Sequence, residues 1–528
     1  MNQGASVAHE SVYIAPKEVS PEGITRSLQA LLPTRHRSIA RHRFTVLDTF
    51  DWRIRRAGAC LTRSAEHDTF AVVWQARGWG GHMAVRLKEP VSFAWELPAG
   101  PLQRTLAPVI GVRRLLAQTD AEEHGSLLEI LDERDKTVAR LRIASCQARL
   151  PMSRGAWQPL PTIVTLTGLR GYEQAFERLV PVIESRPGLE SCLEGPFDVM
   201  FRSVGAPLPG DLSASRVDLA PDVRACVGAR QIHAALLGVL ADNEPGLRAR
   251  LDTEFLHDFR VAIRRTRSLL GQIRHVFPLD VVQHFSAEFS WLGRRTGAPR
   301  DMDVLVLSLR ERREEFAPAD LEQLTAFLGQ VQQREHDGLA EALDSERYRR
   351  LLSDWKAFLD RSPASEPAGR NADRSLAVVV SRRAWKLSRR IAKSARTVDE
   401  HAPPERLHEV RVDAKKLRYL VDVMPTFCDA ADLDCILGAL KKLQRALGDF
   451  NDAHVQEARL LECGRRLSAS GGSGSVLLAL GRLAEQSRER RERLRSGVAE
   501  KLARFGAHRT RSACRRAFHG AARHELGR

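Results

Sequence analysis

Two stretches 151 residues apart constrain this chain more than anything else in it: LHDFRVAIRRTR, Leu256–Arg267, and LHEVRVDAKKLR, Leu407–Arg418. At that offset, without a gap, His257 falls on His408, Arg260 on Arg411, Arg264 on Lys415, Arg265 on Lys416 and Arg267 on Arg418. The register continues through Leu292 and Leu443, Arg294 and Arg445, Gly297 and Gly448, Asp301 and Asp452, and Val304 and Val455. Chance supplies one such match but not a continuous register, so a helical unit is duplicated, with a period too long for a short-repeat solenoid.

On a helical wheel of about 100° per residue, His257, Arg260, Arg264 and Arg267 span roughly 80° of one face, flanked by Arg265. Phe259, Ile263, Thr266, Leu270 and Ile273 lie opposite and should face a core. The second copy sets His408, Arg411, Lys415 and Arg418, flanked by Lys416, against Val410, Ala414, Leu417, Val421 and Met424. A basic run at helical spacing is ordinarily a solvated face. Here the basic faces carry no interspersed acid, and the duplicated register keeps the charge sign at every stripe position. A row of like charges repels by a few tenths of a kcal/mol per pair even on an exposed helix, so both stripes call for an external anion.

More basic positions could join them: Arg382, Lys386, Arg389, Arg390 and Lys393 on one side of RRAWKLSRRIAK, and Lys441, Lys442 and Arg445 further on. Several basic helices converging on one groove would suit a long anion of repeating charge, Arg forks binding phosphate oxygens in pairs and Lys adding point charge. The formal net charge of +16 is carried mostly after residue 214, which places a polyanion partner on that part. Single-stranded nucleic acid calls for aromatic platforms and duplex for a reading helix. Aromatic residues are 6% of the chain and the stripes hold one tyrosine, Tyr419. That disfavours nucleic acid and favours inorganic polyphosphate, which has no bases to stack.

The remaining organisation follows from texture. Residues 1–35 lack periodicity and read as a disordered tail. Short β-like runs follow (RFTVLDTF, TFAVVWQA, HMAVRL, SLLEILDERDKTVARLRIA and TIVTLTG), with DERDK as a hairpin tip and YEQAFERLVPVIES as a helix, so 36–202 reads as an antiparallel sheet domain. Residues 203–215 read as a linker and 216–510 as all helical, in units 216–361 and 373–510 separated by SPASEPAGRNA and interrupted again at SGGSGS, with 511–528 a basic tail. The fold class is therefore multidomain α+β. The first residues have neither a basic n-region nor an apolar h-region, and no segment is long enough to span a membrane, so a cytoplasmic protein is expected. Eight scattered cysteines without a C-x-x-C pair are expected reduced.

The two H-x-x-R-V-x-x-[RK]-[RK]-x-R helices, followed by LGRRTGAPRDMDV and LQRALGDFNDAHV, resemble the CHAD family over about residues 216–510. The resemblance implies paired helical bundles with pseudo-twofold symmetry, a basic central groove, polyphosphate binding and association with polyphosphate granules. Carried over, it puts His257, Arg260, Arg264, Arg267, His408, Arg411, Lys415 and Arg418 in the groove. The basic patterning itself adds Arg265, Arg294, Arg300, Arg382, Lys386, Arg389, Lys393, Lys416, Lys441 and Arg445 as expected polyphosphate contacts. Asn451 stands where the first unit has Arg300, so the two ends need not bind equally.

The N-terminal stretches VLDTFDWRIRRAGACLTR, RLLAQTDAEEHGSLLEILDERDKTVARLRI and GLRGYEQAFERLV resemble a CYTH-type tunnel domain. That family hydrolyses triphosphates or makes cyclic nucleotides with a Glu-x-Glu-x-Lys element and divalent metal. No Glu-x-Glu pair occurs here, and without paired carboxylates a divalent cation has little to hold it. A degenerate domain without catalysis, cofactor or metal is expected, a metal-dependent triphosphatase being the alternative. Arg53, Arg55, Arg63, Arg86 and Lys88, on candidate strands, either bind anions or face outward. His257-Asp258 resembles a metal-binding pair, but adjacent helical residues diverge by about 100°. Asp301 and Asp452 read as helix caps after Gly297 and Gly448, or as partners of a stripe arginine.

Overall fold

The computed structural model describes residues 10–16, 19–76, 82–151, 156–192, 196–205, 217, 219–220, 222–362, 369–399, 401–425, 428–469, 471 and 473–523. The chain divides into two compact units, Met1–Ser213 and Ala214–Arg528.

The first unit is an antiparallel sheet of β1 (Glu10–Ala15), β2 (Thr34–Asp48), β3 (Ala59–Glu66), β4 (Thr69–Ala76), β5 (His82–Leu87), β6 (Leu116–Leu131), β7 (Thr137–Arg149), β8 (Gln158–Pro159), β9 (Thr162–Gly168) and β10 (Glu190–Cys192). Its order is β10-β1-β9-β7-β6-β2-β3-β4-β5, with β8 beside β7. The β6–β7 turn is the DERDK tip, closed by Asp132 N–H donating to the Lys136 carbonyl at 2.9 Å. The helices are α1 (Pro21–Gln29), α2 (Arg53–Arg56), α3 (Pro101–Ile110), α4 (Glu173–Glu184) and α5 (Pro196–Ser203). Residues Ile24 and Leu28 of α1, with Phe176, Leu179 and Ile183 of α4, cover Leu128, Leu141, Val164 and Leu166 of the sheet. The sheet curls so that Gln75 of β4 and His82 of β5 line the same cavity as Glu10 of β1 and Thr165 of β9.

Two expectations need correction here. Residues 10–16 and 19–29 are not a tail: Val12 and Ile14 of β1 pair with Thr165 and Ile163 of β9, and Tyr13 is fully buried. Six residues carry too short an alternation to reveal a strand whose partner is about 150 positions away. Arg53 and Arg55 lie on α2 rather than on a strand. The buried Asp48 carboxylate accepts from the N–H groups of Thr49, Ile54 and Arg55 at 2.7, 2.9 and 2.9 Å, which holds Trp52 at a left-handed φ of 57°. Most of the expected 203–215 linker lies outside the described residues.

The second unit contains α6 (Ala225–Arg248), α7 (Thr253–Gln272), α8 (Leu279–Arg295), α9 (Gly297–Glu311), α10 (Pro318–Asp344), α11 (Glu346–Asp360), α12 (Leu376–Ser394), α13 (Pro404–Val421), α14 (Ala430–Ala469), α15 (Gly474–Phe505) and α16 (His508–Arg523). The duplication is visible in the backbone. Ala225 N–H donates to the Arg374 carbonyl at 2.8 Å, and Leu376 N–H donates to the Val223 carbonyl at 2.9 Å. These bonds flank an antiparallel bridge between Arg224 and Ser375, residues one period apart. Reciprocal contacts between equivalent positions are the signature of a twofold axis. The halves also share a core, in which Met302, Leu305 and Leu309 of α9 and Leu324 and Leu328 of α10 pack with Leu460 and Cys463 of α14 and Val476, Leu480 and Leu483 of α15.

The stretch from residue 511 is a helix rather than a tail as far as Arg523. Cys514 and Phe518 are buried, and the Arg516 guanidinium holds Asp432 of α14 at 3.0 Å. The eight cysteines are unpaired.

Asp252 caps α7, accepting from Glu254 N–H at 2.8 Å and Phe255 N–H at 3.3 Å. Asp252→Ala is expected to lower the opening free energy of the first turns of α7 by about 1 kcal/mol. Amide hydrogen exchange at those turns measures it; unchanged protection there would mean the cap carries no stability.

Candidate functional site

Helix α7 buries Phe255, Phe259, Ala262, Ile263, Leu269 and Leu270, and leaves His257, Arg260 and Arg264 half-buried on its other side. Helix α13 does the same with Leu407, Val410, Ala414, Leu417 and Val421, leaving Arg411 and Lys415 half-buried. The two helices pack against each other, so the stripes meet. Arg264 of the first repeat repels both Arg411 and Lys415 of the second, and Arg260 also acts on Lys415.

The consequences appear in the protonation of the cluster. Burial, followed by the charges of Arg411 and Arg264, brings Lys415 down to about 7, opposed by Asp452. Burial brings Arg260 down to about 10, with Arg264 adding to the effect and Asp301 opposing it. His257 falls to about 4, through burial first and then Arg300, with Glu254 opposing and Arg264 and Arg260 contributing. Arg411 is lowered by burial, with Asp452 opposing and Arg264 adding. Among the described residues, no acceptor meets the buried Nε of Arg260, Arg264, Arg265 or Arg411. Buried donors without partners are uncommon in folded proteins.

Some stripe positions are neutralised, which corrects the expectation of acid-free basic faces. Arg418 donates to Asp422 at 2.7 Å, and the same carboxylate lies 4.0 Å from Arg265. Asp422 sits at the end of α13, one turn beyond the stripe. The first repeat has Gly271 at that position, and Arg267 there is exposed, beside Arg294 and lowered by burial and then by that neighbour. Arg300 is also engaged, donating to the Thr253 carbonyl at 2.7 Å and to Glu254 at 3.3 Å.

The ends of the cluster differ. His257 is half-buried beside Arg300, whereas His408 is exposed and lines a cavity of about 410 Å³ with Arg411, Asn451 and His454. Asn451, on the wall of this cavity, stands where the first repeat has the longer Arg300. His454 has no counterpart among the expected site residues and carried no stripe periodicity. Asp301 and Asp452 cap nothing: Thr296 precedes α9, and Asp452 is inside the uninterrupted α14. Their carboxylates act instead on Arg260 and on Arg411 with Lys415. Gly293 lies beside the stripe, where an added Cβ would come within 3.2 Å of Arg267 Nη1.

The outer candidates do not all join this cluster. Lys416 is half-buried on α13, and Arg294, Lys441 and Arg445 are exposed on α8 and α14. Lys386, Arg389 and Lys393 of α12 line a different cavity, with α16, and Arg382 is exposed on the same helix. Asp413 explains the separation. It lies two residues from both Arg411 and Lys415, roughly 160° around α13, is buried, and accepts from Arg390 of α12 at 2.7 Å. Helix α12 therefore packs on the side of α13 away from the stripe.

In the first unit the carboxylates of β6 are matched to arginines: Glu122 with Arg41 at 3.2 Å and with Arg43, Glu123 with Arg142, Glu129 with Arg35 at 3.6 Å, and Asp120 with Arg149 at 3.6 Å. Arg55 pairs with Asp198 at 2.7 Å and Arg86 with Glu66 at 2.9 Å. Carboxylates already neutralised by guanidinium groups are a poor donor set for a divalent cation. Among the described residues no cluster of three His, Cys, Asp or Glu side chains has metal-binding geometry, and no helix is long and apolar enough to cross a membrane.

Comparison with known proteins adds the following. A family model described as "CHAD domain" matches residues 231–461, a span containing both stripe helices. An uncharacterized protein of Mycobacterium tuberculosis (strain CDC 1551 / Oshkosh) is 28% identical over 319 residues, which is 57% of this chain and 56% of that protein. The chain thus spans about half the length of this relative. The solved CHAD domain from the plant Ricinus communis is 25% identical with a TM-score of 0.47, over 55% of this chain and 95% of that one. A putative adenylate cyclase from Bacillus halodurans is 14% identical with a TM-score of 0.24, over 37% of this chain and 98% of that one.

Proposed function

Residues 231–461 form a CHAD domain, and from that premise we propose that the protein binds inorganic polyphosphate where the α7 and α13 stripes meet. Arg260, Arg264, Arg411 and Lys415 form the centre, and His257, Arg267, His408 and Arg418 extend it along the two helices. One observation carries the reading: cations from both repeats converge half-buried, lowering one another's protonation, and the buried Nε groups of Arg260, Arg264 and Arg411 lack protein acceptors, although Arg260 donates through Nη1 to Thr296 at 3.1 Å. At an effective dielectric near 20, two unit charges 4 Å apart repel by about 4 kcal/mol. A phosphate chain threaded between them replaces that repulsion with charge-assisted hydrogen bonds, and its repeating charge engages successive cations without a new binding event each time. Association with polyphosphate granules follows from the same affinity. A diffuse fluorescent fusion in cells with visible granules would contradict it.

The ligand is tested by competition. Long-chain polyphosphate should remain bound in the presence of single- or double-stranded DNA at equal phosphate concentration, and its log affinity should fall linearly with log salt. The salt slope is expected at about −0.7 per phosphate neutralised, the value for single-stranded nucleic acid. DNA displacing polyphosphate phosphate for phosphate would mean that the site reads charge alone, and the assignment to polyphosphate would fall.

A further inference from the structure

The cavity between α12 and α16 has a composition of its own. It is an open cavity of about 850 Å³, too wide for a single phosphate to span, and eight lysines and arginines line it. Two of the eight are engaged: Arg390 with Asp413, and Arg383, which donates to Gln272 at 2.7 Å. The other six are Lys386, Arg389 and Lys393 on α12, Arg396 just after it, and Arg511 and Arg515 on α16. Among the described residues none of these six forms an ion pair, and all six are exposed. Six cations sharing one cavity without a counter-charge repel one another, and an anion spanning the cavity would relieve this.

Three observations separate this cavity from the central cluster. No stripe residue lines it. Asp413, bonded to Arg390, points away from the α13 stripe. The duplication does not reproduce it, because Lys386, Arg389, Lys393 and Arg396 correspond one period earlier to Ala235, Gly238, Asp242 and Pro245. It belongs to the second repeat alone, whereas the stripes belong to both.

We propose that the cavity between α12 and α16 is a second, separate site that binds an oligophosphate chain of three or more phosphates. Such a chain has the length and repeated charge to contact both helices, as a single phosphate does not. The indole of Trp385 lines the same wall, with the Arg389 guanidinium 6.0 Å from its ring centroid. The chain can therefore come from an inorganic oligophosphate or from the tail of a nucleotide whose base stacks on that ring. The inference stands whether or not the stripes bind polyphosphate.

Calorimetric titration of tripolyphosphate into the full chain tests it with three variants. One is Lys386→Glu with Arg389→Glu and Lys393→Glu, the second is Arg511→Glu with Arg515→Glu, and the third is Arg264→Gln with Arg411→Gln in the stripes. The first two change exposed side chains only, and α16 remains anchored through Arg516 and its buried face. Wild type should show two classes of site. Each cavity variant should lose one class or weaken it at least tenfold, and the stripe variant should keep that class. Unchanged stoichiometry and affinity in both cavity variants would overturn the proposal, as would loss of all binding in the stripe variant. Binding lost only in the cavity variants would support it and remove the stripes from the function instead. ATP and Trp385→Leu identify the source: a loss confined to ATP shows the indole stacking a base, and unchanged ATP binding shows that the phosphate chain alone is read.

Discussion

Arg264→Gln combined with Arg411→Gln should weaken polyphosphate binding by about 100-fold or more while raising the melting temperature of the ligand-free protein. The opposite signs are the informative part. Each arginine that hydrogen-bonds a phosphate contributes about 1.5–3 kcal/mol, so removing two costs about 3–6 kcal/mol of binding. The same two side chains face each other across the α7–α13 contact with buried Nε groups that no protein acceptor meets. Making them neutral removes a repulsion that the folded protein otherwise carries, a trade of stability against function common at binding sites. Charge reversal at Arg260, Arg264, Arg411 and Lys415 together should abolish binding. If the double variant instead lost stability and kept its affinity, the stripes would be structural. Calorimetry with polyphosphate and thermal melts without it give both quantities from one preparation.

The stripes were legible in the sequence because a helix puts every third or fourth residue on one face, and duplication repeated that face. Which neighbour each face meets was not legible. Lys386, Arg389 and Lys393 form as clean a basic face as His257, Arg260 and Arg264, yet they open onto α16 behind α13. Periodicity assigns residues to a side of one cylinder, and only packing fixes how the cylinders are arranged. The acids tell the same story. Asp422 lies beyond the stripe in sequence, and its pairing with Arg418 needs only one helical turn, but its approach to Arg265 needs the contact between repeats. Gly448 looked like a helix boundary because Gly costs about 1 kcal/mol in a helix interior. In the structure α14 runs through it unbroken while its equivalent, Gly297, begins α9. Packing of Leu443, Leu447 and Phe450 into the core outweighs so small a local preference. In the first unit the long hairpin of β6 and β7 was readable from its own turn, whereas β1 and β10 depend on partners far away in the chain.

Lys415 makes polyphosphate affinity depend on pH, and the sign is fixed by its surroundings. In the free protein burial and its arginine neighbours hold it at about 7, so above neutrality it is largely uncharged. A polyanion favours the charged form and returns its pKa toward the usual lysine value of about 10.4. Binding above pH 7 therefore takes up a proton, and affinity should fall as pH rises, by up to about tenfold per unit over the roughly three units between those values. Calorimetry at pH 8.5 in two buffers of different ionisation enthalpy should show uptake approaching one proton per bound chain. Lys415→Arg should remove the dependence between pH 7 and 9, because a guanidinium stays charged there even where burial lowers it, as at Arg260, while keeping tight binding at pH 8.5. The free protein responds in the opposite sense: its unfolded state binds more protons at Lys415 between about 7 and the usual lysine value, so stability rises with pH over that interval. His257, held at about 4, gives the same pair of signs at lower pH: affinity falls and ligand-free stability rises as pH increases from 4 toward 6.5, and His257→Gln removes that step alone. Affinity independent of pH between 7 and 10 in wild type would mean that no phosphate comes near Lys415, and the meeting point of the two stripes would lose its central residue.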